Sequence, residues 1–233
     1  MTQQATVLRS SKEDLLDDCY KTIYRGGTGE IIEKKSRFLA TVLPCDTEEA
    51  ALDFIDATKK KYWDATHNCS AYTIGRRHEL LRCSDDGEPQ KTAGRPMLDV
   101  LLAEDVHNVC VVVTRYFGGT LLGTGGLVRA YQAATKAGLA GSVVITKQFG
   151  RQLCITTDYN GIGKLQYLIA SGGYLTLSTE YAENVTVRVL LRPSEEAGFL
   201  TKVTEATAGK AVILNERELW YAELHGEVLL FQP

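Results

Sequence analysis

Two stretches of this 233-residue chain carry the residue types from which chemistry is made. The first, SDDGEPQKTAGRP at 84–96, sets Asp85, Asp86 and Glu88 around Gly87 and follows them with Lys91 and Arg95. Neighbouring carboxylates drive one another's pKa values apart, which suits general acid or base work, and three of them with waters would suit magnesium. The same acids are equally at home pairing with Arg95 and Arg115 or capping the helix that follows, and that structural use is favoured over metal or catalysis. The second stretch, TRYFGGTLLGTGGLVRAY at 114–131, places Gly118, Gly119, Gly123, Gly125 and Gly126 between an apolar strand and a helix-forming segment. Glycine at that density implies positive φ angles or a close approach of the backbone that a Cβ would block. The amides that open the following helix favour an anion, and Arg115, Arg129, Lys91 and Arg95 are the cations that would accompany them. Tyr116 and Phe117 could stack a base. His67 opens an alternating strand and is the histidine expected to face the same cleft.

Several kinds of chemistry are not written here. The glycine stretch lacks the lysine and hydroxyl ending of a P-loop and the glycine spacing of a dinucleotide site. No serine or cysteine sits in a nucleophile elbow. The 6 cysteines include no CxxC pair, so neither a zinc ribbon nor a redox motif is present. His78, His107 and His225 receive no role. The sequence therefore assigns no catalytic residue, no metal ligand and no cofactor.

The elements that must position these residues follow from periodicity. Tyr20, Thr22 and Tyr24 alternate, then Gly26–Gly29 reads as the turn of a hairpin whose second strand runs through Ile31, Phe38 and Leu39. Thr47 is a plausible N-cap, Ala50, Ala51, Phe54, Ile55 and Thr58 share a helical face, and Lys59, Lys60 and Lys61 suit the C-terminal end of that dipole. Strands are expected at Asn68–Ile74, Glu79–Cys83 and Val109–Val113, a polar loop over Ser84–Arg95, and a short helix from Pro96. From Arg151 the order is strand, helix, strand, strand, helix, strand, the ferredoxin-like βαββαβ series, with Gly172-Gly173 closing its first helix. The fold class is α+β with two domains: a polar extension over 1–19, a first domain at 20–146, a second at 150–222 and a tail at 223–233.

A hydrophobic content of 44%, 24% charged residues and a formal charge of −3 describe a soluble globular chain without the basic excess of a protein that coats nucleic acid. A local basic face is still compatible with that balance. Neither a secretory leader nor a stretch of membrane-spanning length is legible, so a cytoplasmic protein without membrane contact is expected. Its oligomeric state is not legible.

Three segments in order, HNCSAYTIG at 67–75, SDDGEPQKTAGRPML at 84–98 and NVCVVVTRYFGGTLLGTGGLVRAY at 108–131, resemble the IMPACT family. The resemblance covers most of 20–142, and the stretch from 150 to about 220 is similar to the second domain of bacterial members. It implies a first domain with the fold of a small-subunit ribosomal protein, of domain IV of elongation factor G and of the GHMP kinases, and a second domain like domain V of that factor. It also implies a role in translational control through RNA, a ribosome component or a regulatory protein. Where the family pattern has Ser-Gly after the Glu-Pro of the acidic loop, this chain has Gln90-Lys91, which adds a positive charge. The alternative implied by the kinase relatives is an enzyme that binds phosphate or a nucleotide.

Overall fold

The computed structural model describes residues 18–232, which form two compact units, Tyr20–Thr146 and the chain from Lys147 onward with the residues before Tyr20. The expected helical turn around Leu15 and Leu16 lies outside the described residues.

In the first unit β1 (Cys19–Arg25) is followed by β2 (Thr28–Glu33), β3 (Ser36–Pro44), α1 (Glu48–Lys61), β4 (His67–Ile74), β5 (Leu80–Ser84), α2 (Gly94–Ala103), β6 (Val106–His107), β7 (Val109–Tyr116) and α3 (Gly123–Ala140). The main sheet has the order β2-β3-β7-β4-β5 with antiparallel neighbours, and β1 pairs in parallel with the short β6. Its middle strand, VCVVVTRY, is β-branched on both sides because both sides are covered. Val109, Val111 and Val113 join Phe38, Ala40, Val42, Cys69 and Ala71 in a core that also takes Met97 and Leu101 of α2 and Leu127, Tyr131 and Ala134 of α3. Cys110, Val112 and Tyr72 face the opposite way and pack with Ala51 and Ile55 of α1. Helix α1 starts where expected, with Thr47 Oγ1 accepting from the Ala50 amide at 3.2 Å, and its three lysines fall in the last turn.

The expected hairpin is corrected. β1 and β2 are not its arms, and Gly26–Gly29 is not its turn. The hairpin joins β2 to β3 through Lys34 and Lys35, at φ 44° and 68°, the doubly left-handed conformation that matches strand twist. The glycines act instead through their missing side chains. A Cβ on Gly27 would lie 2.0 Å from the Gly141 carbonyl oxygen and one on Gly29 2.2 Å from the Ala137 carbonyl carbon, so the chain here lies directly against the end of α3.

β8 (Val143–Thr157) leads from the first unit into the second, which goes on with α4 (Tyr159–Gly172), β9 (Leu175–Tyr181), β10 (Val185–Leu191), α5 (Pro193–Thr207), β11 (Val212–Leu224) and β12 (Glu227–Phe231). Antiparallel pairing runs β9-β10-β8-β11-β12. Leu153, Ile155, Val185, Val187 and Val189 of the sheet bury against Leu165 and Ile169 of α4 and Phe199 and Val203 of α5. Asp158 caps α4 through the Gly161 amide, and Gly173 closes it at φ 69°. The stretch from 223, expected as a tail, holds the end of β11 and all of β12, which pair from Trp220↔Phe231 to Leu224↔Glu227. Both units are α+β with sheets of mixed surroundings, and no helix among the described residues is long and apolar enough to cross a membrane.

Candidate functional site

Strand register brings the first candidates together. His67 at the start of β4 and Phe38 of β3 are the two cross-strand partners of Arg115, so all three crowd one end of the sheet. Arg115 extends the series Val109, Val111, Val113 by the same step of two, which carries it onto the inner face, where only 5% of it is exposed.

A buried cation needs a counter-charge, and the acidic loop supplies it. Asp85–Glu88 is a tight turn, with Asp86 and Gly87 at φ 43° and 87° and the Glu88 amide donating to the Asp85 carbonyl at 2.9 Å. The turn sends its three carboxylates to different places. Glu88, buried, accepts from Arg115 Nη1 at 2.5 Å and from the Tyr131 hydroxyl at 2.8 Å. Asp86 accepts from Lys59 Nζ at 2.6 Å and from the Asn68 amide at 2.7 Å. Burial raises its pKa, but the Lys59 bond and the Asn68 amide outweigh that and hold the carboxyl below its ordinary range. Asp85 accepts from the amides of Lys91, Ala93 and Gly94 at 2.8, 3.1 and 2.9 Å, and so caps α2 from outside the helix. The structural use of these acids is thus the one found, with Arg115 and not Arg95 as the partner. Arg95 pairs with Asp99 one helical turn on, at 2.8 Å.

Because Asp85 serves three main-chain donors, Asp85→Ala is expected to cost about 2 kcal/mol, the upper part of the range for a lost helix cap. Chemical denaturation of the variant checks this. A loss under about 0.5 kcal/mol would mean that water replaces the carboxylate at all three amides.

Beside the Arg115–Glu88 pair lies a cleft of about 400 Å³. Its polar lining includes Thr66, His67, Glu88 and Arg115, its apolar lining includes Phe117, Leu121, Leu122 and Leu127, and Gly123 and Thr124 bring the first turn of α3 to its edge. That helix has 18 residues and no side chain caps its start. Its leading amides are therefore left to water or to a ligand. Phe117 is 48% and Leu121 83% exposed, so the apolar wall faces outward. His67 Nδ1 lies 2.8 Å from the Asp86 carbonyl oxygen and must donate to it, which leaves Nε2 directed toward Glu88, 3.9 Å from Oε2. The Arg115 guanidinium sits between two rings, 5.4 Å from Phe38 and 5.6 Å from Phe117, with its buried Nε unpartnered.

The glycines divide by role. Gly118 is a packing residue, since a Cβ there would lie 2.0 Å from the Lys35 carbonyl carbon. Gly119 and Gly123, at φ 81° and 69°, have open space where a Cβ would be. Gly123, Gly125 and Gly126 belong to the first turn of α3 and not to a loop before it. The expected convergence of guanidinium groups is not found. Arg115 lines the cleft but is committed to Glu88, while Arg129 is exposed on α3, folded back toward Gly125, and does not line it. Lys91 is exposed at φ 62° and contributes its amide to Asp85.

Sequence reasoning missed Tyr131. In sequence it is one more apolar residue at helical spacing, yet its hydroxyl connects Glu88 to the Cys69 thiol, 3.3 Å away. Burial drives the Tyr131 hydroxyl and the Cys69 thiol far up, so neither is an acid or a nucleophile at neutral pH. The cleft thus sets the uncapped first turn of α3 beside an apolar wall.

These features define a two-unit α+β protein with a ligand-sized cleft between a glycine-opened helix and a buried ion pair. Its sequence matches the Impact N-terminal domain over residues 34–139 and the domain of unknown function DUF1949 over 155–210. It is 41% identical to the IMPACT family member YvyE of Bacillus subtilis over 204 residues, covering 88% of this chain and 94% of that one. It is 33% identical to YigZ of Escherichia coli over 183 residues, 78% and 90% of the two chains. The match to IMPACT-B of Xenopus tropicalis is 48% over 67 residues, 28% of this chain and 20% of the relative. A solved structure described as that of a hypothetical protein superposes with a TM-score of 0.55 at 31% identity, over 86% of this chain and 98% of the other. The chain belongs to the IMPACT family.

Proposed function

We propose that this protein is a non-catalytic binding protein that acts near translation, with the cleft of its first unit receiving a single-stranded segment of RNA. One juxtaposition carries the reading: the uncapped start of α3 lies beside the outward-facing Phe117 and Leu121. Main-chain amides at a helix start take a phosphate without reading sequence, and an exposed aromatic ring stacks a base of any kind. The neighbouring surface extends the pattern. Trp63 is 81% exposed on the segment whose Asp64 and Thr66 bond Tyr116 and Phe117, and Lys60 and Lys61 precede it. The fold assignments implied by the family resemblance, a ribosomal-protein-like first unit and a ferredoxin-like second, belong to this reading, and the observed βαββαβ order from β8 to β11 supports the second.

Filter binding with single-stranded and structured RNA at rising salt tests it. The expected result is affinity that falls as salt rises and that drops about fivefold or more in Phe117→Ala, the lower part of the range for one stacked base. Binding indifferent to both salt and Phe117 would end this reading. A nucleotide that raises the melting temperature on its own would shift it toward the phosphate- or nucleotide-binding enzyme that the kinase relatives suggest.

A further inference from the structure

The opposite end of β4 from the cleft holds a second gathering of chemical side chains. His78, on the turn after β4, and His107 of β6 converge on Asp105, whose Oδ1 lies 3.4 Å from His78 Nε2 and 3.1 Å from His107 Nε2. One ligand atom from each residue lies within 4.8 Å of the other two. The imidazole rings stack, with centroids 3.8 Å apart and planes 15° from parallel. His107 is buried, His78 is partly so, and the Asp105 side chain is 76% exposed, so the group opens to solvent on the carboxylate side.

His107 Nδ1 lies 3.3 Å from the Gly75 carbonyl oxygen, which can only accept, so that nitrogen carries the proton. In the neutral ring Nε2 then turns a lone pair toward a carboxylate oxygen that also only accepts. His78 is adjustable: Thr73 Oγ1, 2.6 Å from its Nδ1, can accept or donate, so its Nε2, which faces the same carboxylate oxygen, is free to present a lone pair. With Thr73 accepting from His78 Nδ1, acceptors from three side chains face one point, an arrangement that suits a positive charge between them. Protonating both rings would stack two cations at 3.8 Å, whereas one metal ion would serve all three acceptors.

We propose that His78, Asp105 and His107 bind a divalent transition-metal ion of the zinc class, with a fourth position open to water. Two imidazoles and one carboxylate are the donor set of open zinc sites, and metal–ligand bonds of about 2.0–2.1 Å place tetrahedral ligands about 3.3 Å apart. Both carboxylate–imidazole separations are close to that edge. The contact of His107 Nδ1 with the Gly75 carbonyl is the outer hydrogen bond that orients a ligating histidine. His78 and Asp105 also hold left-handed backbones, at φ 56° and 52°, which non-glycine residues adopt at a cost. Parallel rings point their lone pairs side by side, so loading turns the His78 ring out of the stack. The exposed turn it occupies gives it room to do so.

The experiment uses the full chain, stripped with a chelator, kept reduced, and titrated with zinc by calorimetry and with cobalt by absorption. One equivalent should bind, with weak visible cobalt bands and no thiolate charge-transfer band, and zinc should raise the melting temperature by mass action. His78→Gln and Asp105→Asn should each weaken binding by at least about tenfold and remove the thermal shift. Asp105 is exposed and His78 lies on a turn, and circular dichroism checks that both variants fold. Absence of stoichiometric binding, equal binding by both variants, or a charge-transfer band placing the ion on the free cysteines would each overturn the proposal.

Discussion

Replacing Glu88 with glutamine is expected to lower the unfolding free energy by about 3 kcal/mol or more, because it leaves the buried Arg115 guanidinium without its counter-charge. The side chain keeps its size, so the loss reports electrostatics and hydrogen bonding and not a cavity. Tyr131 makes the site less forgiving, since its hydroxyl also donates to the same carboxylate oxygen. Urea denaturation with the slope checked for constancy measures the effect. The double variant Glu88→Met with Arg115→Met should be considerably more stable than the sum of the two single losses predicts, since removing both charges together also removes their desolvation cost. Simple additivity would show that the pair is not the unit described here.

Gly29→Ala should be about as damaging, at about 3 kcal/mol or more, for a steric reason. The added methyl would stand 2.2 Å from the Ala137 carbonyl carbon, 2.4 Å from its oxygen and 2.4 Å from the Gly138 nitrogen, all main-chain atoms of α3. No rotamer relieves such a contact, and β2 and α3 have to separate, at the upper end of the cost of overpacking. Gly123→Ala is the matched comparison. It meets nothing within 4 Å and bears only the strain of φ 69°, about 1–2 kcal/mol. Equal losses in the two variants would show that backbone conformation and not close packing sets the glycine requirement. The same comparison bears on the cleft, because Gly123→Ala alters the helix start without closing it.

Much of the architecture was legible in local pattern. The cap at Thr47, the apolar face of α1, the closing Gly173 and the βαββαβ order depend on neighbours within a few residues, and they are where periodicity places them. Even the burial of Arg115 was implicit in the step of two from Val109 through Val113, although a charge at the next inner position reads more readily as the end of a strand. Gly26–Gly29 defeated the local reading because glycines that make turns and glycines that admit another backbone look alike in sequence. For Gly27 and Gly29 the distinction lies at the end of α3, more than a hundred residues further on.

The sequence by itself determined the family, the two α+β units and most of their elements, because hydrophobic periodicity, caps and turn chemistry act over short distances along the chain. Tertiary structure decided the rest: that Asp85, Asp86 and Glu88 go to three separate partners, that Arg115 and Arg129 do not meet, and that His78 and His107 stack on each other beside Asp105. Those choices are set by sheet register and helix placement, which bring together side chains whose spacing along the chain carries no sign of it.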